Sequence, residues 1–216
     1  MNWKRLGPTS RLFFLVLFSL FGNSKLNAAP LDEAGSVHLW SMFSLQDISV
    51  CWEFSGFEEE KAWVQQVIER EYVSTQFLIL TGWKNCRELP NALVRIAEFD
   101  QEPHTLAIGG DLAKVLHGVV LNFTFENVYT SCLEDRKACI EGIAVHEFGH
   151  VAGLPDIAVA MPGEICLEPA PPLQKMTARL LEADSVMNAC NPNWRSSFLS
   201  PSDKVALSEM SLRGSL

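Results

Sequence analysis

Two hydrophobic periods alternate along this chain. The apolar, β-prone run from Ser49 to Phe54 predicts a strand. Trp63, Val64, Val67, Ile68 and Tyr72 then recur at helical spacing, which predicts a helix of about four turns with one face on a sheet. Ser55 reads as its cap, with Glu58 as capping-box partner. Glu58, Glu59 and Glu60 read as a solvated first turn favoured by the helix dipole. Phe77 to Trp83, Ala92 to Phe99 and Val119 to Phe125 read as strands, and Thr105 to Gly110 as a shorter extended stretch.

A second helix is predicted from Asp135, a capping residue, with Ile140, Ala144, Phe148 and Val151 as its apolar stripe. Gly153 and Pro155 stop it. Beyond Asp156 the pattern breaks. Pro162, Pro169, Pro171 and Pro172 mark a loop-rich segment, followed by a short helix from Leu173 to Ala183. Ser200 as cap, Pro201 at the first helical position and Asp203 at the third predict a last helix to about Leu212. Strands and helices early, loops and one helix late, imply a single α+β domain over residues 30–216. Its two lobes, about 30–153 and 154–216, would flank a cleft.

Composition adds an address. Lys4, Arg5 and Arg11 precede an uncharged apolar run from Leu12 to Gly22, and small residues follow at Ala28 and Ala29. This is the pattern of a signal peptide, residues 1–29, on an exported protein, secreted or periplasmic. The apolar run is short for a permanent membrane span. Removing the leader lowers Lys+Arg from 17 to 13 while Asp+Glu stays at 26, moving the net charge from −9 to −13. Such a surface repels phosphate backbones and anionic headgroups, so neither nucleic acid nor a stable membrane association is expected as a partner.

Six cysteines, Cys51, Cys86, Cys132, Cys139, Cys166 and Cys190, follow the leader. An even number in an exported chain suggests three disulfides. No C-x-x-C pair points to a cysteine-ligated metal or a redox motif. Spacing does not determine connectivity; the pairing expected is Cys51–Cys86, Cys132–Cys139 and Cys166–Cys190.

The chemistry concentrates in His146-Glu147-Phe148-Gly149-His150-Val151-Ala152-Gly153-Leu154-Pro155-Asp156. Residues four apart on a helix share a face, so His146 and His150 can aim imidazole nitrogens at one cation. Glu147 sits beside the first ligand, within reach of a water held there. A catalytic zinc usually takes three protein ligands and keeps one position open. Gly153 can turn the chain back and bring the Asp156 carboxylate to the same ion. The HExxH pattern alone arises by chance in roughly one chain per few hundred, and the added glycine and acid lower that about a hundredfold.

This extended motif resembles that of the metzincin zinc peptidases, HExxHxxGxxH or its form with Asp as third ligand. Ser185-Val186-Met187-Asn188 resembles their Met-turn, the apolar base beneath the metal. Ser49 to Glu53, Phe77 to Cys86, Val119 to Phe125 and Leu199 to Asp203 resemble the matrixin-like branch, especially its bacterial secreted members. The likeness covers most of the chain after residue 48. It implies a twisted, mixed, mostly parallel sheet with two long helices above a cleft and a smaller, loop-rich lobe below, ending in a helix. It implies one catalytic Zn2+ on His146, His150 and Asp156, with Glu147 as general base. It also implies an endopeptidase acting as a monomer on a protein or peptide laid along an edge strand, for which Thr105 to Gly110 is the candidate, with Leu106, Ala107 and Ile108 as substrate-binding residues. Trp194 is a candidate for the specificity pocket. Asp156 stands where a third His is commoner, and Ala189 where many relatives carry a Tyr donor.

Two other readings share these residues: a secreted metzincin-fold binding protein with little or no turnover, and a zinc amidase acting on a non-protein amide such as a peptidoglycan cross-link. A carboxylate beside the ligands favours turnover. The Asn122-Phe123-Thr124 sequon falls in an expected strand and is read as structural. His38, His104 and His117 are isolated from other ligand types and are read as surface or core histidines.

Overall fold

The computed structural model describes residues 48–105, 117–158, 181, 183–188 and 196–213. All lie in one compact unit of the chain. The expected leader, Leu106, Ala107, Ile108, Cys166, Cys190, Trp194 and nearly all of the expected helix from Leu173 fall outside the described residues.

Five strands form one sheet: β1 (Ile48–Trp52), β2 (Leu80–Asn85), β3 (Val94–Glu98), β4 (His104–Thr105) and β5 (His117–Leu121). Their order is β2-β1-β3-β5-β4. All pairings are parallel except that of the edge strand β4, which runs antiparallel to β5 with Thr105 opposite Val119. Among the described residues three α-helices accompany the sheet: α1 (Glu58–Ile68), α2 (Arg136–Ala152) and α3 (Pro201–Arg213). The architecture is thus mixed α+β with a mostly parallel sheet. Parallel strands need crossovers, and α1 supplies the one between β1 and β2.

Helix α1 buries Val64, Val67 and Ile68, and a π-helical turn, Glu69–Val73, carries the buried face on to Tyr72. The cap expected at Ser55 is not realised. Phe57 precedes the helix in the left-handed region (φ 57°) with no side-chain cap. The Glu58 carboxylate accepts the Gly56 N–H at 3.2 Å, so the start lies two residues beyond the expected one. Glu60 is also not merely solvated: Arg136 donates to its carboxylate at 2.6 Å and ties α1 to α2.

Strand β2 begins three residues later than the apolar run suggests. The N–H groups of Phe77 and Leu78 both donate to the Tyr72 carbonyl and are used up in closing the helix. Strand β5 ends early for a related reason. Asn122 is fully buried, and its Oδ1 accepts the N–H groups of Thr124 (3.0 Å) and Phe125 (2.9 Å), which turns the chain out of the sheet. Its Nδ2 donates to Asp100 at 3.1 Å. Both polar atoms of the sequon asparagine's side chain are therefore engaged inside the fold, as the structural reading expects.

The core lies between the sheet and the helices. Trp83 stacks on Phe148 of α2 at 6.0 Å between ring centroids, and Trp52 lies 5.8 Å from Trp83. Phe148, Ile140, Ile143, Ala144 and Val151 are almost wholly buried on α2. Each large apolar side chain among them contributes about 1.5–3 kcal/mol. No helix among the described residues is long and apolar enough to cross a membrane.

Two disulfides match the expected pairing. Cys51–Cys86 joins the ends of β1 and β2 across 35 residues, and Cys132–Cys139, of sequence separation 7, ties the turn before α2 to the first turn of α2. Closing the longer loop removes more entropy from the unfolded chain. Replacing Cys51 and Cys86 by Ala is therefore expected to cost about 4 kcal/mol, against about 2.5 kcal/mol for Cys132 and Cys139. Thermal melts of the two double variants test this ranking, and a larger drop for the Cys132–Cys139 pair would contradict it.

Candidate metal centre

Helix α2 is built to be buried. Its start is fixed by Asp135, whose carboxylate accepts the Ala138 N–H at 3.2 Å. Its end is fixed by Gly153, which adopts φ 99°, a left-handed conformation that glycine enters without steric cost. The Gly153 N–H donates to the His150 carbonyl at 2.9 Å and the Leu154 N–H to the Gly149 carbonyl at 2.8 Å. That bend delivers Asp156 to the face of α2 that carries both histidines.

His146 Nε2 and His150 Nε2 each lie 3.3 Å from Asp156 Oδ1. The three side chains can offer one ligand atom apiece, all within 4.8 Å of one another, and can hold a metal ion. The far side of each ring defines its protonation. His146 Nδ1 faces the Val186 carbonyl and His150 Nδ1 faces the Leu154 carbonyl, both at 2.9 Å. A carbonyl oxygen only accepts, so each Nδ1 carries the proton. In the neutral rings, each Nε2 then presents a lone pair to a carboxylate oxygen that is buried and accepts no hydrogen bond. Three lone pairs converging on one point repel unless a cation, or a proton, stands among them.

A tetrahedron with zinc–ligand bonds of about 2.0 Å has edges of about 3.3 Å. The His146–Asp156 and His150–Asp156 separations are both 3.3 Å, close to such an edge, and the three ligand atoms lie within 4.8 Å of one another. Nitrogen and carboxylate donors also suit zinc chemically. The Asp156 side chain is 41% exposed, although its Oδ1 facing the histidines is buried, as the histidines nearly are. The donor set could thus hold a divalent metal ion.

Electrostatics follow from the same contacts. Burial pushes the Asp156 carboxyl up, but the two imidazoles outweigh it and hold the group well below the usual carboxylate range. Burial likewise pushes His150 down, but Asp156, then Glu147 and the Leu154 carbonyl, raise it above the ordinary imidazole value.

Met187 packs against helix α2 at Gly149. It is fully buried in the turn Ser185–Asn188, which the Asn188 N–H closes onto the Ser185 carbonyl at 3.1 Å. A Cβ on Gly149, between the two histidines, would stand 2.3 Å from Met187 Sδ, so only glycine lets this turn approach the helix. The Ile157 N–H donates to the Met187 carbonyl at 2.9 Å and ties the Asp156 segment to the same turn.

Sequence reasoning placed Asp203 at a helix start but missed its second task. Asp203 and Ser200 cap α3 reciprocally: Ser200 N–H donates to Asp203 Oδ2 at 2.9 Å, and Asp203 N–H to Ser200 Oγ at 3.1 Å. The same fully buried carboxylate accepts the Ser185 hydroxyl at 2.5 Å and the Val186 N–H at 3.0 Å. Asp203 therefore fixes the turn whose Val186 carbonyl orients His146. Tyr72 was expected only as core, yet its hydroxyl donates to the Val145 carbonyl at 2.6 Å, one residue before His146. Thr105 was also missed: its hydroxyl donates to Glu147 Oε2 at 2.7 Å. No local pattern marks such contacts; the Ser-rich approach to Asp203 was the nearest signal.

Among the other histidines, His104 lies on β4 with Nδ1 against the Glu102 carbonyl at 2.9 Å, apart from the cluster. His38 and the His117 side chain fall outside the described residues. Comparison with protein-family models, curated proteins and solved structures found no match for the chain.

Two expectations follow. A raised pKa means that His150 of the metal-free protein keeps its second proton at a pH where an ordinary histidine, near about 6.5, has lost it. A metal must displace that proton, so zinc affinity falls as pH drops through the raised value, by about tenfold per pH unit for each proton displaced. Calorimetric zinc titrations from pH 8 to 5.5 check the slope, and pH-independent affinity would contradict it. Secondly, Asp203→Ala releases the turn that orients His146 and is expected to lower zinc affinity about 10- to 100-fold. Competition with a fluorescent chelator measures the loss, and unchanged affinity in a folded variant would show that the turn holds without it.

Proposed function

We propose that the chain is an exported, zinc-dependent endopeptidase of metzincin type, hydrolysing peptide bonds with Glu147 as general base. The observation that carries this reading is the convergence of His146, His150 and Asp156 on one point with a carboxylate in the adjoining position of the same helix. A zinc ion held there supplies Lewis acidity toward water and toward a carbonyl.

The remaining work falls to the chain. Glu147 is almost wholly buried, next to His146 on the same helix. It takes a proton from the attacking water and returns it to the departing amine. The edge strand β4, whose Thr105 touches Glu147, offers backbone for pairing with an extended substrate. Disulfides form and persist in oxidising compartments, which supports residence outside the cytoplasm. The acidic surface suits a protein or peptide substrate better than nucleic acid.

The test uses the chain without residues 1–29. One zinc per chain and cleavage of casein or a peptide library are expected. Glu147→Ala should keep its zinc and lose about 10²- to 10⁴-fold in kcat. Bound zinc with no turnover of any peptide would favour the binding protein, and turnover of peptidoglycan cross-links alone would favour the amidase.

A further inference from the structure

Glu147 has two carboxylate oxygens, and the structure accounts for one of them. Thr105 Oγ1 lies 2.7 Å from Glu147 Oε2 and 3.1 Å from the Glu147 backbone carbonyl. A threonine hydroxyl has a single proton. The shorter contact to the charged acceptor takes it, because charge-assisted bonds are shorter and stronger. The contact spans 42 residues of sequence and joins the edge strand β4 to the middle of α2. Thr105 is itself held in the sheet, paired opposite Val119. Its β-branched side chain has few rotamers, so the hydroxyl is presented in a near-fixed direction.

We propose that Thr105 is a positioning residue for Glu147. Its hydroxyl binds Oε2, fixes the carboxylate torsion and leaves Oε1 as the oxygen that meets the attacking water. This rests on the peptidase reading for its kinetic consequence, but not for the bond itself. A free glutamate side chain samples several rotamers, and only some present an oxygen to the reacting water. Holding it in one of them raises the fraction of encounters that are productive. The bond also places the base in contact with the strand proposed to pair with substrate. A substrate that straightens or displaces β4 would thereby move the base. Discrimination between good and poor substrates should then appear in kcat as well as in KM.

The experiment compares wild type, Thr105→Val, Thr105→Ser, Glu147→Ala and the Thr105→Val/Glu147→Ala pair, all zinc-loaded and without the leader. Valine keeps the shape and removes the hydroxyl; serine restores the hydroxyl. Kinetics are read on one quenched-fluorescent peptide. Thr105→Val is expected to lower kcat about 10- to 100-fold with KM within about twofold, and Thr105→Ser to rescue most of it. Thermal melts form an independent double-variant cycle that needs no turnover. The two single changes should be non-additive by about 2–4 °C. Additive melting shifts would overturn the bond. A coupled cycle with unchanged kcat in Thr105→Val, or no rescue by serine, would overturn the positioning role. If wild type cleaves nothing, the peptidase reading fails and the kinetic half with it, while the melting cycle still decides the Thr105–Glu147 contact.

Discussion

Two backbone carbonyls govern this site. Val186 O and Leu154 O each face the Nδ1 of a histidine, which commits the proton to that side of the ring and leaves Nε2 as a lone pair. Both lone pairs point at Asp156 Oδ1. Burying three electron-rich atoms against each other is costly without a positive charge between them. The rest of the local structure serves to maintain that arrangement.

Several elements contribute. The core between α1, α2 and the sheet holds α2 in place, with Phe148 sandwiched toward Trp83 on the side away from the ligands. Gly153 bends the chain so that Asp156 returns. Gly149 admits Met187 close against α2, and Asp203 pins the turn that bears both Met187 and Val186. The anchoring carboxylate lies on α3, so the C-terminal helix takes part in orienting a ligand on α2 through two intervening hydrogen bonds. Glu71 reinforces the link: it is buried near the end of α1 and accepts the Leu199 N–H at 3.0 Å, just before α3 begins. The cluster is thus a product of several elements and not of one helix motif.

Much of this was legible in the sequence, for physical reasons that differ by residue. His146, His150 and Asp156 were readable as a group because helical periodicity and a glycine stop dictate their convergence. Asp135, Gly153, Ser200 and Pro201 were readable because capping chemistry is local. Two cysteine pairs came out as expected. Strand boundaries were less legible, since the Phe77 and Leu78 amides went to the preceding helix and Asn122 pulled β5 short. The Ser55 cap failed because the left-handed Phe57 precedes the helix, and no sequence pattern announced it. Thr105, Tyr72 and the second role of Asp203 were invisible, because each depends on a partner at least 17 residues away.

The most direct test of the account is the zinc coordination shell itself. X-ray absorption at the zinc edge, on the zinc-loaded chain without residues 1–29, should give a four-coordinate shell of two imidazole nitrogens plus oxygens at about 2.0–2.1 Å. Asp156→Ala should change the oxygen contribution. A shell containing sulfur, one lacking imidazole scattering, or a spectrum identical in the variant would contradict the convergence of His146, His150 and Asp156 on a single ion.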